Sequence, residues 1–436
     1  MIRALLMLGS VLALMAAGRS FAPVDAHASP GAGTVLGFGF LVLAALQAGS
    51  VFAALRLPRL TGYLLCGVLT GPDALGLLTR AMVGDLRLVN GVAVSLIALT
   101  AGGELDLRAL RPRLRSVVVT SLLALISAIV AITLTSILFS SRLPFMVGLS
   151  GAQQWSVALT LGVLLASLSP AVTIAIFSET GSDGPVSETS LGVVVLADIL
   201  IIVAFTAVHA LDASVFHLHG GGELSPLLKL SIEIGGSAVV GALVALAILA
   251  WHRIVREHLS LFILAVCIIA TEVGSRLHLD ALLVCLVAGL LLQNVLGLRG
   301  EVLAKVLAPA GLPIYAVFFA LAGANLQLAE LAVLWPLALL FSVVRAGALL
   351  GSARAGAKLT GAGEMVERWM PLALIPQAGV SVGLAELLGR HFPDWGAGTR
   401  ALVLSVMTVN VVVGPLLLRY GLARAGETGR KAAEEH

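Results

Sequence analysis

Thirteen apolar stretches follow one another along this chain with scarcely a pause, at residues 34–55, 60–78, 88–105, 116–139, 155–178, 189–210, 227–250, 259–275, 281–297, 306–324, 331–351, 369–388 and 401–418. Each is close to the ~17–25 residues that cross a bilayer as a helix. An open chain has no other way to satisfy its backbone in hydrocarbon, where water cannot bond to a bare N–H or C=O. The fold class that follows is an all-α membrane protein of about thirteen transmembrane helices. Composition agrees, since 59% of residues are hydrophobic and 12% charged, where a soluble domain averages about 25% charged. A soluble protein could not cover itself with so few polar groups. That excludes a cytosolic enzyme, a nucleic-acid-binding module and a disordered regulator. The sequence carries no P-loop or H-E-x-x-H pattern, so neither an enzyme nor a resident cofactor is expected.

The ends and connections set the organisation. Arg3, an apolar run from Ala4 to Ala17 and Ala26-His27-Ala28 before Ser29 read as a secretory signal peptide over residues 1–28, with an uncleaved first helix as the rival. Residues 29–420 then form a single membrane domain, and 421–436 a short charged tail. With the mature N-terminus outside, cytoplasmic segments hold seventeen Lys and Arg and outer segments seven, which satisfies the positive-inside rule. The cytoplasmic stretch 179–188 dissents, with Glu179, Asp183 and Glu188 and no base. The longest connections, 211–226 and 352–367, leave no room for a soluble regulatory domain. Cys66, Cys267 and Cys285 lie inside apolar stretches without CxxC spacing and read as small buried hydrophobes. The loop from His217 to Glu223, with His219 between, has metal-ligand chemistry but reads first as a solvated loop. A signal peptide suits a bacterial inner membrane.

Charges inside the spans are expensive and mark function. Asp198 lies near the middle of the sixth span with apolar neighbours on both sides. A carboxylate there binds either a desolvated cation or a proton, the competition a proton-coupled cation carrier needs; the plainer reading is a structural acid paired to a neighbouring helix. Arg345, in the eleventh span, either supplies a counter-charge inside the membrane or snorkels to the inner interface. Glu104, Glu272 and Glu386 lie nearer span ends and read as structural; Glu233 is close to an outer end. Two spans are broken by proline, the fifth at Ser167-Leu168-Ser169-Pro170 and the twelfth at Pro376-Gln377-Ala378-Gly379. Proline removes a backbone bond and clashes with the preceding turn, and Ser169 and Gln377 are placed to satisfy the freed groups. These spans are seven apart and so run in opposite directions. Paired interrupted helices in inverted halves point to a transporter's midplane site, against the alternative of ordinary kinks. The small residues of the second span, Gly62, Gly67 and Gly71, form a packing surface.

Several of these segments, in this order, resemble the monovalent cation:proton antiporters of the Kef-like, antiporter-2 branch. They are Pro58-Arg59-Leu60-Thr61-Gly62-Tyr63 through Gly71-Pro72, Gly103-Glu104-Leu105-Asp106-Leu107, the Ser-Pro break, Asp198, Phe318-Phe319-Ala320-Leu321-Ala322-Gly323 and Pro376-Gln377-Ala378-Gly379. The resemblance covers about residues 34–420. It implies an inverted-repeat sodium/proton-antiporter fold with two crossed discontinuous helices and a mobile core from residues near 116–210 and 331–418. The remaining spans would be a dimerisation scaffold, which implies a homodimer in lipid. It also implies exchange of Na⁺ or K⁺ for protons, with Asp198 as the binding carboxylate, helped by Ser169 and Gln377, and Arg345 as the basic residue of the eleventh span. Ser167 and Ala197 stand beside the key positions. Two departures are visible: Ala197 replaces the polar residue usual before the essential Asp, and Leu168 replaces a frequent Thr.

The expected function is therefore a secondary antiporter, electroneutral because only one acid lies deep in the membrane. An organic-solute symporter of similar design would want a more polar cavity. A non-transporting membrane subunit or sensor that keeps the fold is the reading Ala197 favours.

Overall fold

The computed structural model describes residues 2–21, 34–55, 59–105, 107–216, 226–277, 281–298, 300–326, 328–377 and 394–430, with short pieces at 279, 381, 384–385, 388–389 and 392. Almost all of them are helical, and no strand occurs among the described residues. Among the described residues, seven helical segments are long and apolar enough to cross a bilayer, and further apolar helical segments fall on the expected third, eighth, ninth and tenth spans. The expected stretches thus become helices of unequal length. The second is the clearest correction. Instead of one helix over 60–78, helix α3 stops at Thr70 and the chain turns back, with Leu78 N–H donating to the Thr70 carbonyl at 2.8 Å. Pro72 cannot donate the next ladder bond, and apolarity alone does not report that.

By its own contacts the chain divides into two units. The first comprises Met1–Asp106 and Glu233–Leu326. It contains α1 (Ile2–Phe21), α2 (Thr34–Ala54), α3 (Arg59–Thr70), α4 (Arg80–Asp85), α5 (Arg87–Glu104), most of α11 (Pro226–Ile254), α12 (Leu259–Leu277), α13 (Ala281–Asn294) and α14 (Gly300–Ala324). Its strongest packing pairs are α5 with α13 and α3 with α14. Both are glycine seams. A Cβ on Gly67 would fall on the Ala320 carbonyl and one on Gly323 on that of Leu64, while Gly102 and Gly289 meet backbone of α13 and α5 in the same reciprocal way. Without an apolar driving force between helices in lipid, backbones that touch gain dispersion contacts a larger residue would forbid. Of the expected packing surface of the second span, Gly67 and Gly71 face α14 in this seam and Gly62 faces α2. All three cysteines are buried and none forms a disulfide.

The second unit comprises Leu107–Ile232 and Gln327–His436. Its described elements are α6 (Leu107–Leu110), α7 (Leu114–Leu138), α8 (Gly151–Ala166), α9 (Pro170–Thr180), α10 (Pro185–Val215), the start of α11 (Pro226–Ile254), α15 (Leu328–Leu359), α16 (Glu364–Trp369), a 3-10 turn (Met370–Leu374) and the last helix, α17 (Gly396–Ala425). Helices α10, α15 and α17 overrun their apolar stretches at both ends. The expected connection at 352–367 is therefore largely helix, and α10 carries on to Val215, five residues into the one expected at 211–226. Local chemistry sets several ends: Ser150 and Gln153 form a reciprocal capping box on α8, and Gly181 in the left-handed conformation closes α9. Glu188 pairs with Arg113 from the preceding connection, so the acidic 179–188 stretch that broke the charge pattern is partly neutralised by a neighbouring loop.

Candidate ion-binding site at two helix breaks

The fifth expected span is two helices. Helix α8 ends at Ala166, Ser167–Ser169 are non-helical, and α9 begins at Pro170. Proline is tolerated at a first helical position because that N–H has no helical acceptor, and Ser169 is the N-cap, its hydroxyl accepting from Val172 N–H at 3.3 Å. Irregular backbone at membrane depth survives only inside protein. Of the most apolar stretch within Gly151–Thr180, 94% is buried, the highest share of any span.

The end of α8 leaves carbonyls without helical partners, and side chains from two other elements supply them. Arg345, on α15 and fully buried, donates Nε–H to the Leu165 carbonyl at 2.7 Å and one terminal nitrogen to that of Ser167 at 2.7 Å. Its other terminal nitrogen donates to the Ile375 carbonyl at 2.8 Å, in the non-helical residues 375–377 that follow the 3-10 turn at the second proline break. One planar fork therefore bonds both breaks, and it sits at the negative end of the α8 dipole. The side chain turns inward to carbonyls instead of outward to headgroups. Gln377 completes the join. Its amide nitrogen lies 3.4 Å from both the Leu164 carbonyl and the Ser167 hydroxyl and 3.2 Å from that of Ser381, while its carbonyl accepts from Asn410 of α17 at 2.9 Å. The hydroxyls of Ser167 and Ser381 bond to each other directly. One turn from Asn410, Gly414 lets α17 approach Pro376: a Cβ there would stand 2.6 Å from the proline Cα.

Asp198 lies mid-way along α10, 5% exposed, beside a fully buried Ala197. Helix α10 packs against α8, α9 and the 3-10 turn, the elements that flank the two breaks. A carboxylate, amide and hydroxyl oxygens and free helix ends are hard ligands for a proton or a small cation. Among the described residues no three His, Cys, Asp or Glu side chains gather as a metal centre.

Over residues 40–419 the sequence matches the transmembrane sodium/hydrogen exchanger family. The chain belongs to that family, whose members are membrane ion transporters and not enzymes. It resembles the sodium proton antiporter MjNhaP1 of Methanocaldococcus jannaschii in two solved structures. One, at pH 8, aligns with a TM-score of 0.63 at 19% identity, over 92% of this chain and 98% of that one. The other, from an electron-microscopy map, gives 0.69 at 16% identity, over 92% and 97%. At such identities the likeness is one of fold. The iron transporter MagA of Paramagnetospirillum magneticum is 26% identical over 163 residues, 37% of this chain. That match spans about a third of its length, 34%.

The remaining expected residues of this exchanger-family chain fall elsewhere. Glu272 makes an exposed i,i+4 pair with Arg276 at 2.6 Å, Glu104 closes α5, and Gly379, Glu386 and His217–Glu223 lie outside the described residues. Three positions escaped the sequence reading. Asn410 and Ser381 bind the breaks but are ordinary polar residues in apolar runs. Asp212, assigned to a loop, is fully buried on α10 and is hydrogen-bonded to the hydroxyls of Ser156 at 2.5 Å and Thr160 at 2.7 Å. Its signal was present: Ser156 and Thr160 stand one helical turn apart on one face.

Proposed function

We propose that this chain is a secondary antiporter that exchanges Na⁺ or K⁺ for protons by alternating access at Asp198. The observation that carries the reading is the buried carboxylate of Asp198 on a helix packed against both proline breaks. On this reading Asp198 holds a proton or a cation but not both. The hydroxyl oxygens of Ser167 and Ser169 and the carbonyl of Gln377 each keep a lone pair to offer, and Arg345 is a fixed positive charge at the break when the site is empty. The unit containing residues 116–210 and 331–418 moves as the core. The other unit is the scaffold and the dimer face, in a thirteen-span bacterial inner-membrane protein whose two broken helices cross. A single deep acid favours electroneutral exchange. The MagA match raises iron as cargo, but carboxylate, hydroxyl and amide oxygens suit a monovalent cation better than a transition metal.

In proteoliposomes loaded with a pH-sensitive dye, Na⁺ or K⁺ should drive proton release, and Asp198→Asn should abolish it. Wild-type protein inert to both cations across pH 6–9 would overturn the antiporter reading and leave the sensor that Ala197 favours.

A further inference from the structure

We propose that Asp212, with Ser156 and Thr160, forms a second proton-binding site near the end of α10. Asp212 lies two residues past the apolar stretch 189–210 and is nonetheless fully buried. Aromatic rings of the last turns of α10 meet those of the chain before α17: Phe216 stacks on Trp395 at 5.4 Å, and Phe392 meets His209 at 5.4 Å and Trp395 at 4.8 Å. His209 and Phe216 stand three before and four after Asp212, on the same helical face.

Counting protons gives the site its chemistry. Ser156 donates to Oδ1 of Asp212. Thr160 has one hydroxyl proton and two oxygens within reach, the Ser156 carbonyl at 3.0 Å and Oδ2 of Asp212 at 2.7 Å. One proton cannot serve both. If Asp212 is ionised and takes it, the Ser156 carbonyl loses its side-chain partner, and a buried carboxylate is left with two neutral donors, little compensation for its charge. If Asp212 is the neutral acid, Oδ2–H donates to Thr160, Thr160 donates to the Ser156 carbonyl, and Ser156 donates to Oδ1. Each proton is then used once and each oxygen has a partner. When the proton leaves, the Thr160 hydroxyl turns from the carbonyl to Oδ2, so the two hydroxyls accommodate both states by a rotation.

Among the described residues, the ionisable groups around the site are few. His209 is on α10 itself, α8 contributes Ser156 and Thr160, and Asp394 and Arg400 belong to the segment around Trp395 and the first turns of α17. Asp212 follows Asp198 by fourteen residues on one helix. That is about 21 Å along the axis and about 40° from the same face, with Phe205 and His209 between. The proton on Asp212 stands apart from the antiporter reading; only its use as a station on the route to Asp198 rests on that reading.

Infrared difference spectroscopy of the full-length protein in lipid, titrated with pH, decides the matter. A protonated-carboxyl C=O band should be present at neutral pH and vanish at alkaline pH. Asp212→Asn should delete it, Asp198→Asn should leave it, and Thr160→Val, which removes the acceptor, should shift its frequency. A spectrum of Asp212→Asn identical to wild type at every pH overturns the proposal. Should that variant not accumulate, an unshifted band in both Thr160→Val and Ser156→Ala does the same. Failure of cation-driven proton release in the dye assay would sink the antiporter reading while leaving the infrared band to judge Asp212.

Discussion

Arg345 illustrates how a charge survives without a carboxylate partner. Its guanidinium is fully buried, yet three donors reach three carbonyls that helix geometry had left open. Burying a cation is costly unless it is bonded in this way, and the open carbonyls are costly too, about 1–3 kcal/mol for each buried group left unpaired. Each deficit offsets the other. Arg345→Leu should therefore abolish exchange and lower the thermal midpoint in detergent. Arg345→Lys, a point charge without the planar fork, should keep part of the stability and little of the activity. Asn410→Leu tests the neighbouring link, because it leaves the Gln377 carbonyl without its 2.9 Å donor. We expect a destabilisation of about 1–2 kcal/mol and a raised cation KM, measured by thermal shift and by dye-reported exchange.

Helix α10 shows what single residues do for an element. Its N-cap position is Gly184, which has no side chain to offer the first N–H groups. The missing cap arrives from far along the chain. Glu427, just past the end of α17 and 2% exposed, accepts from Val186 N–H at 2.7 Å and Ser187 N–H at 2.8 Å, and from the Ser187 hydroxyl. Gly429 N–H donates to the Thr180 carbonyl at 2.8 Å and fixes the same segment to α9. A carboxylate at the positive end of a helix dipole is favourable, and a side chain on Gly184 would displace it. Glu427→Ala should cost about 0.5–2 kcal/mol and speed amide hydrogen exchange over the first turns of α10, with Glu427→Gln intermediate. In the other unit the α5–α13 seam makes an independent test. Gly289→Leu places a side chain on the Leu99 carbonyl, so the helices must separate, and accumulation of folded protein should fall sharply in fluorescence-detected size exclusion.

At the scale of the molecule, each of the two units is assembled from two separate stretches of chain. In the second unit each stretch brings one break, and Arg345, Gln377 and the two serines join them. The site therefore depends on association between distant segments and not on a contiguous motif. It also holds no cluster of metal-binding side chains among the described residues. Treating the protein with a strong transition-metal chelator should leave cation-driven proton release unchanged; loss of activity restored by iron would instead favour the cargo named for MagA.

What the sequence determined alone was the solvent. Long apolar stretches leave a chain no option but helices in lipid, and the cost of charge there singled out Asp198 and Arg345 before any coordinates. The two proline breaks were visible for the same kind of reason, since a missing N–H is a property of one residue. Tertiary structure decided the partners. Arg345 bonds carbonyls, which every residue carries and no sequence pattern marks. Glu427 lies in a charged tail that looks like solvated chain until α10 is found beside it. Asp212 looked like a loop acid because hydropathy ends spans where polarity begins, whereas the helix continues for as long as neighbouring side chains satisfy it. A backbone or hydroxyl group chooses its partner by proximity, and only the fold creates proximity.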